Sequence, residues 1–242
     1  MDYFVKVEEF NVRYLKLGKG DNLVFLHGIW SYSETYLSLL KELSRKYTVY
    51  ALDLPGFGKT NNPNEIWTYE DYARFLYKFF RKLRLDEFVL VGHSGGGGIA
   101  IVFTSKYPKI IKNLVLIDSV GVQDRISFFV FVRAILLKTL KEIFSFKGLI
   151  ALKSITVSFL NNFFSHGFYI FRVIKKNKDS NLDDYIKKIK TKTLLLWGDR
   201  DEYFPLDYAN KFKILLENSE LKIVKGNHDW CLIHPEKIER FL

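Results

Sequence analysis

The sequence predicts an α/β protein: a mostly parallel central sheet with helices on both faces, and a helical cap inserted after the sixth strand. Three observations predict it. Along residues 21–119, short aliphatic runs alternate with amphipathic segments of helical period. From residue 120 to 190 the alternation stops, giving way to helical, aromatic, basic sequence with no convincing strand, and it resumes at "KTLLLWGDRDE". Finally, "VLVGHSGGGGIAIVF", residues 89–103, compresses a strand, a glycine-rich turn and a helix into one stretch. At 242 residues the chain can bury one large core. Residues 1–119 and 191–242 are expected to build it, with 120–190 as the cap.

Each element has its own signal. "YFVKVEEFNVRYLKLG" alternates as two antiparallel strands that turn near Glu9–Phe10 and end at the Gly18–Gly20 turn. "NLVFLHG" is a short buried strand. "SETYLSLLKELSRK" has helical period, with Ser33 placed to cap it. "YTVYALDLPGFG" is a strand running into a turn rich in Pro and Gly. "TYEDYARFLYKFFRKLRL" is an amphipathic helix capped by Thr68, followed by the strand "EFVLVG". After the glycines a helix runs to about Tyr107, where Pro108 breaks it, and "NLVLIDS" is the sixth strand. Beyond the cap come a strand in "KTLLLWG", a helix over about Pro205–Glu217, the strand "LKIVKG" and a last helix from Pro235.

Composition narrows the class. Hydrophobic residues make up 48 %, which excludes a disordered chain. The formal net charge is +10, and residues 121–190 hold an excess of 8 of those charges. No Arg-rich stripe or nucleic-acid motif accompanies it, so no nucleic-acid partner is expected and the charge reads as solvated helix faces. A single cysteine, Cys231, rules out an internal disulfide framework and fits a reducing compartment. "MDYFVKVEEF" places charges where a secretion signal needs apolar residues, and a cytoplasmic location is expected. "ISFFVFVRAILL" is interrupted by Arg133 and is too short to span a bilayer.

Gly92-His93-Ser94-Gly95-Gly96 fits G-x-S-x-G between a strand and a helix. A sharp turn there lifts the serine hydroxyl off the sheet edge in a strained conformation, and side chains two residues before or after would collide. The helix that follows points free N–H groups and its positive end at the serine. Gly97 and Gly98 exceed this requirement and suggest close helix-on-sheet packing. A serine needs a base, and the base needs an acid to orient it. Of five histidines, His228, in "VKGNHDW", follows the last strand at the sheet edge where Ser94 emerges. His93 adjoins the serine, His27 ends a strand, His166 lies in the cap and His234 opens the last helix. For the acid, Asp199 and Asp201 follow one strand end and Asp118 another, while Asp53 reads as holding its own turn.

Taken together, these motifs resemble the α/β-hydrolase fold family in its capped, single-domain form, over nearly the whole chain. "FLHG" resembles the family's oxyanion-loop His-Gly, and "DLPGFGKT" its Asp-x-Pro-Gly-x-Gly turn, with Thr60 where serine is usual. "GHSGG" resembles the nucleophile elbow, "LLLWGDRDEYFP" the acid loop and "GNHDWCLIHPEKI" the histidine loop. The resemblance implies Ser94 as nucleophile, His228 as general base and then acid, and Asp201 as orienter. The backbone N–H groups of Ile29 and Gly95 would form the oxyanion hole. Trp30 and His93, beside these groups in the chain, are the expected substrate contacts.

The serine disfavours the family's chemistries that use an aspartate at the elbow. A carboxylesterase or lipase-like hydrolase of small esters with an apolar part is expected. The cap's Phe128, Phe129, Phe131, Phe144, Phe146, Phe159, Phe163, Phe164, Phe168 and Phe171 either line its site or form plain core. Carbon–carbon bond hydrolysis of a dienoic diketone is the enzymatic alternative, and a non-catalytic binding module the alternative of another class. Docking of the basic aromatic cap on anionic membranes is a further reading. No signal calls for a cofactor or a metal.

Overall fold

Alternation at the start of the chain folds as a hairpin: β1 (Asp2–Val7) and β2 (Phe10–Leu17) pair antiparallel, with Val7 opposite Phe10. Glu8 makes the reversal with a left-handed backbone, φ 53°. The computed structural model describes residues 2–122, 146–178 and 180–242. The predicted strands recur as β3 (Asp21–Leu26), β4 (Tyr47–Leu52), β5 (Phe88–His93), β6 (Ile111–Ile117), β7 (Thr193–Gly198) and β8 (Ser219–Val224). They form one sheet in the order β1-β2-β4-β3-β5-β6-β7-β8, parallel from β4 onward. Only β1–β2 and β2–β4 are antiparallel.

The central strands are aliphatic throughout because both faces are covered. Side chains alternate between two cores. Val24, Leu26, Leu90, Leu114 and Leu116 pack on one face with α2 (Tyr69–Lys82) and α3 (Gly95–Lys106). Leu23, Phe25, Val89, Val91 and Val115 pack on the other with α1 (Leu37–Leu43), Trp230 and Ile238. Thr68 caps α2 as expected and forms a reciprocal box with Asp71. Ser33 does not cap α1. It opens a single 3-10 turn, Ser33–Tyr36, and its hydroxyl bonds Asp53 at 2.5 Å.

That bond belongs to a buried cluster the sequence does not announce. Arg13, fully buried, pairs with Asp53 and with the Ser33 hydroxyl, and its other terminus reaches Asp2 and Glu34. Asp53 also accepts from the Lys59 N–H, so it holds its own turn and more. The cluster locks the end of β4 to the loop after β3.

After β6 the chain leaves the sheet and rejoins it at β7. Between them lie α4 (Phe146–Asn177) and the short α5 (Asp183–Ile186), while residues 123–145, with Phe128, Phe129, Phe131 and Phe144, and the Phe146 side chain lie outside the described residues. The chain then adds α6 (Leu206–Leu215), α7 (Trp230–Ile233) and a 3-10 turn, Pro235–Arg240. Among the described residues no helix is long and apolar enough to cross a membrane.

Candidate active site

Ser94 links β5 to α3 with φ 52° and ψ −120°, a conformation that few non-glycine residues adopt. Sterics hold it there. A Cβ on Gly96 would lie 2.4 Å from the Leu26 carbonyl oxygen, and one on Gly92 would lie 2.7 Å from the Gly97 Cα. Gly97 and Gly98 serve contacts to the end of β6 and to α2: added carbons would meet the Ser119 side chain at 2.0 Å and the Tyr69 ring at 2.9 Å. Both peptide groups of Ser94 are satisfied, since its N–H donates to the Ile117 carbonyl and its carbonyl accepts from Gly97 and Val120.

Beside the turn runs the loop after β3. Gly95 and Ile29 face each other, an added carbon on Gly95 falling 3.5 Å from the Ile29 nitrogen. Among the described hydrogen bonds neither the Ile29 nor the Gly95 N–H has an acceptor. Two such donors, Gly95 at the N-terminus of α3 and Ile29 on the loop facing it, can receive a developing negative charge. Trp30 follows with φ 64°, and its ring lies against Phe159 and Phe171 of α4, at 5.0 and 5.1 Å.

His228 and Asp201 meet across the loops after β8 and β7. His228 Nδ1 lies 2.9 Å from Asp201 Oδ2. Asp201 Oδ1 accepts from the N–H groups of Tyr203 and Phe204 at 2.8 and 2.9 Å. Burial alone would raise the Asp201 carboxyl, but His228 and these two N–H donors outweigh it and hold the group below its usual range. An ionised acceptor on Nδ1 fixes the His228 tautomer, leaving Nε2 as the basic nitrogen. Asp199 instead accepts from the Gly226 N–H, and His234 pairs with Glu236 at the surface.

His93 has a different place from the expected substrate contact. It is buried, with Tyr36 Oη 2.7 Å from Nδ1 and the His228 carbonyl oxygen 3.1 Å from Nε2. A carbonyl only accepts, so Nε2 carries the proton and Nδ1 accepts from the tyrosine. Gly28 N–H donates to the same tyrosine oxygen, so one chain of hydrogen bonds ties the loop after β3, the turn at Ser94 and the loop after β8 together. No sequence signal marked Tyr36. Ligand atoms of His93, His228 and Asp229 lie within 4.8 Å of one another, but both His93 nitrogens are already committed, which is a poor donor set for a metal. His27 is likewise internal, bridging the Gly28 carbonyl and the Leu54 N–H.

The sequence profile of the alpha/beta hydrolase fold matches residues 21–148, more than half of the chain. The chain belongs to the alpha/beta hydrolase fold family. Within that family it is 26 % identical to a 2-hydroxy-6-oxo-6-(2'-aminophenyl)hexa-2,4-dienoic acid hydrolase of Metapseudomonas resinovorans, over 98 % of this chain and 87 % of the other. Its structure is similar to a serine hydrolase involved in carbazole degradation, with TM-score 0.85 and 26 % identity over 99 % and 96 % of the two chains. A bacterial membrane phospholipase A shares the fold, with TM-score 0.83 and 24 % identity over 100 % and 84 %.

A cavity of about 20 Å³, room for a single water molecule, opens between the elbow and α4 of this alpha/beta hydrolase fold. Gly28, Ile29, Gly95 and Gly96 form one wall, and Tyr69, Tyr72, Val173 and Asn177 the other. Among the described residues the lining holds no Lys or Arg.

Proposed function

We propose that this hydrolase cleaves small carboxylic esters with an apolar part through an acyl-enzyme on Ser94. The observation that carries the reading is the His228–Asp201 pair, fixed in one tautomer, on loops tied to a strained serine turn that adjoins two acceptorless N–H groups. Ser94 Oγ attacks the carbonyl carbon as His228 Nε2 takes its proton, and the oxyanion collects the Ile29 and Gly95 N–H groups. His228 returns that proton to the leaving alcohol. Water then adds to the acyl carbon, His228 again taking and returning a proton, and the acid departs with Ser94 restored.

The apolar side chains of Ile29, Leu54, Phe57, Ile99 and Val173 in the cavity lining support an ester with an apolar part. Carbon–carbon bond hydrolysis is the second reading, favoured by what the Metapseudomonas relative acts on. A panel of p-nitrophenyl esters of rising chain length, run beside a dienoic ring-fission product, separates the two. Turnover of acetate and butyrate esters with little cleavage of the dienoate is expected, and the reverse would overturn the ester reading. A fluorophosphonate probe should label the wild type and not Ser94→Ala. Absence of labelling would favour a binding module.

A further inference from the structure

Asp118, at the end of β6, is wholly buried and takes no part in the mechanism above. Its Oδ1 accepts from the Gly198 N–H at 2.8 Å. Its Oδ2 is buried without a donor, and the carboxyl lies within hydrogen-bonding reach of Asp201. The backbone at Asp118 is left-handed, φ 43°, a conformation that persists in a non-glycine residue only where its surroundings enforce it.

Two ionised carboxylates in contact in a dry site repel each other and lack solvation, so the pair retains one proton. The donors decide which group holds it. Asp201 accepts from His228, Tyr203 and Phe204, an arrangement made for an anion. Asp118 accepts from Gly198, with the Trp230 indole N–H as a smaller second influence. The groups facing it are Asp201 from the loop after β7, with His228 behind, and the Trp230 indole from α7. Burial first, then the Asp201 charge, push the Asp118 carboxyl well above its ordinary range, and Gly198 and Trp230 oppose this without outweighing it.

We propose that Asp118 is a positioning residue that keeps its proton and donates it through Oδ2 to Asp201, so that His228, Asp201 and Asp118 form one hydrogen-bonded chain ending in a neutral acid. The Asp201 carboxylate then has a fourth donor, which fixes its plane toward His228. It also accounts for the orphaned oxygen, which becomes a donor.

Asparagine is the test, because its amide copies a protonated aspartate: the oxygen accepts from Gly198 and the NH2 donates to Asp201. In the first arm, urea unfolding of the wild type and Asp118→Asn is followed from pH 4 to pH 8. A carboxyl protonated in the fold and ionised when unfolded costs stability as pH rises above its unfolded pKa. The stability difference should therefore widen with pH in favour of the asparagine variant. A difference independent of pH, or one widening in favour of the wild type, overturns the proposal.

The second arm is kinetic and rests on the ester reading; the first does not, so the two can fail separately. Asp118→Val should lower kcat roughly 10-fold, the scale of one positioning hydrogen bond, with KM little changed. Asp118→Asn should recover most of that loss and restore the acidic limb of the pH profile. A valine variant as active as the wild type, or an asparagine variant no better than valine, overturns it. Where valine does not fold, the unfolding comparison with asparagine decides.

Discussion

The turn at Ser94 and α4 meet at the same cavity, yet they are held differently. The first ten residues of α3 are buried, and at Gly96 backbone atoms lie within 2.4–2.7 Å of where a side chain would stand. Repulsion defines that region. Helix α4 instead attaches through a stripe of polar groups three or four residues apart. Ser154 and Ser158 bond Thr35, Asn161 bonds the Tyr32 hydroxyl, and Asn162 bridges the Ser31 carbonyl and the Gly58 N–H. His166 reaches the Gly58 carbonyl, and Asn177 the Trp67 carbonyl. Its far side leaves Phe164 and Phe168 about four-fifths exposed, at 81 % and 79 %. Backbone sterics set the turn, while α4 joins these hydrogen bonds to the burial of Tyr169, Ile170 and Val173 in the main core.

The largest test of this contrast is chemical. Ser94→Ala should cut kcat by about 10^4-fold or more at unchanged thermal stability, measured on a short-chain ester. Asp201→Asn should cost nearly as much, about 10^4-fold, because an amide no longer favours the Nδ1–H tautomer. Acid stability follows the same residue. The Asp201 pKa is depressed in the fold, so its stabilisation is complete above the unfolded value near ~3.9 and disappears as pH falls through the folded one. The asparagine variant should lose that acid dependence in urea unfolding.

Gly96→Ala comes next. Main-chain oxygens at 2.4 and 2.5 Å from the new carbon cannot yield, and unfolding should show a loss of about 3 kcal/mol. On α4 the effects should be smaller and of another kind. Asn162→Ala should cost about 1 kcal/mol while changing KM across an ester series more than kcat. A loss as large as at Gly96 would mean that α4 is held as rigidly as the turn. Phe164→Ser should change stability by less than about 0.5 kcal/mol.

Much of this was legible in the residues. The order of strands and helices, the Thr68 cap and the turn at Ser94 follow from local pattern, since each depends on neighbours within a few positions. The His228–Asp201 approach was foreseeable through the family resemblance, but period and spacing alone left Asp118, Asp199 and Asp201 equally placed at strand ends. Ser33 was misread as a cap because Arg13 and Asp53, distant in sequence, compete for its hydroxyl.

The sequence by itself determined the alternating α/β architecture and the strained serine turn, because apolar period and glycine sterics act over short stretches of chain. Only the tertiary structure decided which carboxylate faces His228, that His93 ties the histidine loop to Tyr36, and that Asp118 stands against Asp201. Those pairings join residues from different strand ends, and packing of the whole sheet, which no local pattern encodes, sets the distances between them.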